Sequence, residues 1–96
     1  RQGRIVAQII AEGQNDPSVL EYFRNMFLRQ RRAVAADIIQ AGIDSGEFIA
    51  DLDVELAIDL IYGPMWYRLL VGHQPLDRHF ATLLPKLAIA ALSRPR

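Results

Sequence analysis

Residues 51–77 read DLDVELAIDLIYGPMWYRLLVGHQPLD, and this stretch decides the fold. From Val54 to Val71 the only charged residues are Glu55, Asp59 and Arg68, so the run forms one helix that is apolar on nearly every side. A helix lying on a soluble surface keeps one polar face, whereas one that is apolar all round is covered on most sides. A chain of 96 residues buries a smaller share of its surface than a larger domain does. The helix therefore calls for more cover than the chain supplies, and the simplest cover is a second copy.

The rest of the chain is helical in pattern too. Residues 2–13 carry Ile5, Val6, Ile9 and Ile10 at helical spacing and break at Gly13; the pattern opens at Arg1 with no N-cap residue before it. With no initiator methionine, the chain is expected to be a piece of a longer protein. Asp16 is a candidate N-cap with Pro17 at the first helical position. From Pro17 an unbroken helical pattern runs to about Ser45 through Val19, Leu20, Phe23, Met26, Phe27, Val34, Ile38 and Ile39. At about 1.5 Å per residue this is the longest helix of the fold. Gly42 lies within it and Gly46 stops it. The third helix is expected to start from Asp51 as N-cap, with Asp53 and Glu55 in its first turn, and to end at Gly72. Pro64 in its interior cannot donate to the carbonyl of Leu60. The fourth runs from Asp77 to about Leu92, with Phe80, Leu83, Leu84, Leu87 and Ala91 as its stripe and Pro85 inside. No period-two alternation occurs. The expected fold is all-α, a bundle of about four helices in one domain over residues 1–96.

Composition narrows the function. The chain has 11 basic and 11 acidic residues and no net charge. A phosphate backbone is bound by a basic excess, so this segment is a poor reader of nucleic acid. Cysteine is absent, which removes thiol metal sites, disulfides and cysteine nucleophiles. Internal acids, an arginine and the Gly63-Pro64 pair argue against the apolar run as a membrane span. Arg29, Arg31 and Arg32 invite a phosphate-binding reading, but Glu21 and Asp37 offset them, no aromatic platform is expected beside them, and a solvated face explains them better. His73 and His79 lack a third ligand at helical spacing, so no metal and no cofactor is expected. No nucleophile motif, glycine-rich phosphate loop or paired carboxylates stand out, and an enzyme reading has no residues to rest on.

Aromatic and methionine side chains gather on two helices: Tyr22, Met26 and Phe27 on the long one, and Tyr62, Met65, Trp66 and Tyr67 on the third. They read either as plain core or as an adaptable apolar pocket with a few polar tips.

The run DLDVELAIDLIYGPMWYRLLVGHQPLD, preceded by AGIDSGEF, resembles the C-terminal ligand-binding and dimerisation domain of TetR-family bacterial transcriptional regulators. The likeness covers essentially the whole chain. Its order is a small-G-E-F turn, an acidic cap, an apolar helix with Gly-Pro and Tyr-Arg-Leu-Leu, then Gly, Pro-Leu-Asp and a closing apolar helix. The resemblance implies a cytoplasmic homodimer formed through the last two helices, and a small apolar or amphipathic effector that releases the repressor from DNA. DNA contact would lie in a helix-turn-helix module ahead of this chain. Residues expected at the dimer interface are Leu60, Tyr67, Leu70, Val71, Phe80, Leu84, Leu87 and Ala91. Those expected at the effector are Tyr22, Met26, Phe27, Tyr62, Met65 and Trp66. The alternative is a helical protein-interaction module with no small ligand.

Overall fold

A computed structural model describes residues 2–95; Arg1, where the first helix was expected to open, lies outside them. The backbone is helical in four runs. The first is α1 (Gln2–Gly13). The second is α2 (Pro17–Phe23), a π-helical turn (Arg24–Leu28) and α3 (Arg29–Asp44) in direct succession. The last two are α4 (Val54–Val71) and α5 (Arg78–Leu92). The fold is all-α, as the periodicity predicts. The helical run expected from Pro17 is continuous to Asp44, with the π turn inserted at Arg24–Leu28.

The chain forms two compact units, Arg1–Ala33 and Val34–Arg96. In the first, α1 packs on α2 around a tight corner in which the Asp16 amide donates to the Glu12 carbonyl at 2.9 Å. Buried Gly13 lies against Leu20, and Phe23 is buried beneath α2. Asp16 is the cap expected of it: its Oδ1 accepts from the Ser18 amide at 3.1 Å, with Pro17 at the first helical position.

The second unit holds a core of Ile39, Phe48, Ala57, Ile58 and Leu92, with Ile43, Leu52, Ile61 and Tyr62 packed around it. The α3–α4 turn organises this core. After Asp44 the chain reverses through Gly46 at φ 84°, a left-handed conformation that a side chain resists. The Gly42 carbonyl accepts from the Phe48 amide at 3.0 Å and from the Ser45 hydroxyl at 3.1 Å. The Phe48 ring then lies on α3 at Gly42, where a Cβ would stand 2.3 Å from Cδ2 of the ring. Residues 47–49 pair with the end of α5: Ile49 donates to Leu92 and Arg94 donates to Glu47, both at 2.9 Å, around a Phe48–Ser93 bridge.

The cap of α4 is Asp53, not Asp51. Leu52 is anchored against the core, so the chain stays extended through Asp53, whose Oδ1 accepts from the Leu56 amide at 3.0 Å. Asp77 caps α5 in the same way through the Phe80 amide, also at 3.0 Å. Such caps stabilise a helix by about 1 kcal/mol. Left-handed Gly72 ends α4 as expected.

Substituting Gly42→Ala sets two effects against each other. Alanine favours a helix interior by about 1 kcal/mol, while forcing a methyl against a packed ring costs about 1–3 kcal/mol. The 2.3 Å approach to a buried ring puts this site at the upper end. Gly42→Ala is expected to lower stability by roughly 1–2 kcal/mol in thermal or urea denaturation. A gain in stability would contradict the packing described.

Candidate functional site

Among the described residues, two apolar grooves and one exposed apolar surface stand out. The first groove belongs to the first unit and has a volume of about 490 Å³. Ile9 of α1 forms one side, Ser18, Val19, Tyr22 and Phe23 of α2 the other, and Met26 and Phe27 of the π turn close it. Successive turns put Val19, Phe23 and Phe27 in one row, each four residues from the next. The Phe23 and Phe27 rings stack at 5.1 Å and 15°. The Arg31 guanidinium, four residues further on, lies 4.1 Å from the Phe27 centroid. That contact corrects the expectation of an arginine cluster without an aromatic neighbour: Arg31 is spent on Phe27, while Arg29 donates to Asn25 Oδ1 at 2.9 Å. Both contacts hold the π turn.

Of the six expected effector residues, the structure brings Tyr22, Met26 and Phe27 together at this groove. Tyr62, Met65 and Trp66 lie on α4 in the second unit, each half-buried, with Tyr62 against the core. They do not line that unit's own groove, a smaller cleft of about 220 Å³ formed by Ile38, Ile39, Phe48, Ile61, Leu84, Pro85, Ala88, Ile89 and Leu92. Ile9, Ser18, Val19 and Phe23 line the first groove but were not among the expected residues. The i, i+4 row of Val19, Phe23 and Phe27 was the signal that could have found the middle of it.

The polar group of Ser18 at the first groove is already committed. The Ser18 hydroxyl donates to Asp16 Oδ1 at 2.7 Å. This bond first, and the Ser18 amide second, hold the Asp16 carboxyl below its ordinary value of 3.8. Among the described residues no polar or charged side chain is buried, and no cluster of His, Asp or Glu could hold a metal. Apart from Ser18 and Tyr22 the lining is apolar.

The exposed surface lies on α4 and α5. Ile58 is fully buried at 0 % exposure, yet Leu60, two residues on, is 58 % exposed. Leu56, Leu60, Gly63, Tyr67 and Leu70 recur every three or four residues along α4 and are all exposed. On α5, Leu83, Leu87 and Ala91 follow the same spacing and are exposed too. Of the expected interface residues, Leu60, Tyr67, Leu70, Val71, Leu87 and Ala91 are exposed. Phe80 and Leu84 are half-buried: Phe80 sits under the Arg68 guanidinium at 4.4 Å, and Leu84 lines the second groove. Leu56 and Leu83 share the exposed stripes without having been expected there. Arg68 fixes the α4–α5 loop as well, donating to the Pro75 carbonyl at 2.9 Å, and the Tyr67 ring meets His73 at 4.4 Å. No helix among the described residues is long and apolar enough to cross a membrane.

Comparison with known proteins bears on these features. Residues 1–87 match the family described as "Tetracyclin repressor-like, C-terminal domain". A Bacillus subtilis (strain 168) protein, "Uncharacterized HTH-type transcriptional regulator YdeS", is 42% identical over 71 residues, which is 74% of this chain and 36% of that protein. The crystal structure of TetR family transcription regulator SCO0332 superposes with a TM-score of 0.83 at 29% identity, over 96% of this chain and 50% of that one. The chain thus spans about a third of the curated relative and half of the solved one.

Ser18→Ala is expected to raise the Asp16 pKa toward 3.8, because it removes the largest of the stabilising bonds. A depressed carboxyl stabilises the fold above its unfolded value, and that contribution disappears as pH falls through the folded value. Carbon-detected NMR titration of the carboxyl reads both; an unshifted Asp16 in the variant would contradict the assignment.

Proposed function

The chain belongs to the tetracyclin repressor-like C-terminal domain family, and from that premise we propose that it is the effector-binding and homodimerisation domain of a cytoplasmic TetR-like transcriptional regulator. Regulators of this family act as homodimers that bind DNA and effectors. A helix-turn-helix module of the whole regulator would read the operator, in keeping with the name of the Bacillus subtilis relative.

One observation carries the dimer: α4 and α5 are apolar on two faces. The first is spent on Ala57, Ile58 and Leu92 in the core, and the second lies bare along Leu56, Leu60, Tyr67 and Leu87. Pairing each helix with its copy about a twofold axis covers the second face by an isologous contact. The 490 Å³ groove lies within the usual size of small-molecule sites, about 300–1,000 Å³. A neutral apolar effector held there would act by favouring one arrangement of the dimer over another. Only that difference in affinity moves the population toward the form that releases DNA.

Leu87 is 67 % exposed within one chain, so Leu87→Glu leaves the fold intact. In the dimer it buries unpaired charge near the axis, at a penalty of several kcal/mol per ion. Light scattering after size exclusion is expected to show a helical monomer; a dimer of unchanged strength would remove Leu87 from the interface. For the groove, calorimetric titration with naphthalene as probe is expected to give one site per chain. Met26→Glu should weaken it at least about tenfold, since the probe would then desolvate a carboxylate. Equal affinity in the variant would place the ligand elsewhere.

A further inference from the structure

We infer that the first groove selects neutral aromatic molecules bearing one hydrogen-bonding group, that the phenol of Tyr22 reads this group, and that carboxylate forms of the same skeletons are turned away. This deepens the effector-binding reading and rests on it.

Exclusion of anions follows from where the donors go. At the polar end of the groove the Ser18 amide is taken by Asp16 Oδ1 and the Val19 amide by the Asp16 carbonyl, both at 3.1 Å. The Ser18 hydroxyl proton is committed to the same carboxylate at 2.7 Å. No backbone donor is left there for an anion, and the charge beside it is negative. Among the described residues no basic side chain lines the groove. A carboxylate entering would lose its hydration without replacement.

Preference for an aromatic body follows from the rings. Phe27 is engaged by Phe23 at 5.1 Å and by the Arg31 guanidinium at 4.1 Å, so its faces are taken and its edge remains. Ring edges are positive and pair with the π-face of another ring, and the Met26 thioether favours the same partner.

Tyr22 is left as the reader. It is 67 % exposed and among the residues lining the groove, and among the described residues nothing bonds its hydroxyl. A phenol both donates and accepts, so it can meet a hydroxyl, carbonyl or amine on the ligand.

Three probes with one skeleton test this: naphthalene, 2-naphthol and 2-naphthoate, titrated at neutral pH against the 96-residue chain and its Tyr22→Phe variant. The exposure of Tyr22 makes loss of folding no obstacle, and circular dichroism checks it. 2-Naphthol should bind about fivefold tighter than naphthalene, the size of one net hydrogen bond, and 2-naphthoate weakest of the three. Tyr22→Phe should bring 2-naphthol down to naphthalene and leave naphthalene unchanged. The inference is overturned if 2-naphthoate binds as well as 2-naphthol, or if Tyr22→Phe leaves 2-naphthol unaffected, while naphthalene still depends on Met26. Failure of all three probes to bind would overturn both the inference and the effector-binding reading beneath it.

Discussion

The ring of Phe48 occupies the space that a side chain at residue 42 would fill, and the second unit is organised around that contact. It can form only because α3 carries a glycine there and because Gly46, at φ 84°, reverses the chain within four residues. With the ring in place, residues 47–49 lie against residues 92–94, so the end of α5 is tied back to the end of α3. Leu52 is drawn into the same core, which delays the start of α4 to Asp53 and sets the rotation of that helix. Ala57 and Ile58 then point inward, and Leu56 and Leu60 are left outside.

The bare stripe on α4 is therefore a consequence of the core and not a defect in it. Turning the helix to bury Leu56 and Leu60 would expose Ala57 and Ile58, with no net gain. A helix carrying apolar residues on both sides has no rotation that satisfies it within one small unit. In the proposed dimer the second face is covered by its copy, and the apolar area removed from water there would be worth roughly 25 cal/mol per Å² before the entropic costs of binding. The first groove, by contrast, is lined by one unit's own residues. The groove and the bare α4–α5 stripes thus fall on different elements of the chain.

Much of this was legible in the sequence. Period, breakers and caps gave the four helical runs, with Asp16, Asp77 and Gly72 in the roles assigned to them. Asp51 and Asp53 could not be told apart as caps, because the choice depends on Leu52 finding the core, a contact distant in sequence. Gly42 read as a helix-weakening residue tolerated in passing; its purpose is visible only once Phe48 stands against it. The π turn at Arg24–Leu28 left no trace in the sequence, since Met26 and Phe27 continue the apolar positions through it. Tyr22, Met26 and Phe27 could be grouped because they share one helical run, whereas Ile9 joins them only through the α1–α2 corner. On α4, an evenly apolar helix gives no facing from sequence. Hence the exposure of Leu56 was not foreseen, and Leu84, expected at the dimer interface, is half-buried and lines the second groove.

Sedimentation equilibrium of the unmodified chain over a range of concentrations bears most directly on the two-faced α4–α5 pair. A helical species of twice the chain mass, persisting on dilution, is the expected result. A well-folded monomer with full helix content at every concentration would mean that the chain tolerates its bare stripe, and the case for a second copy would fall.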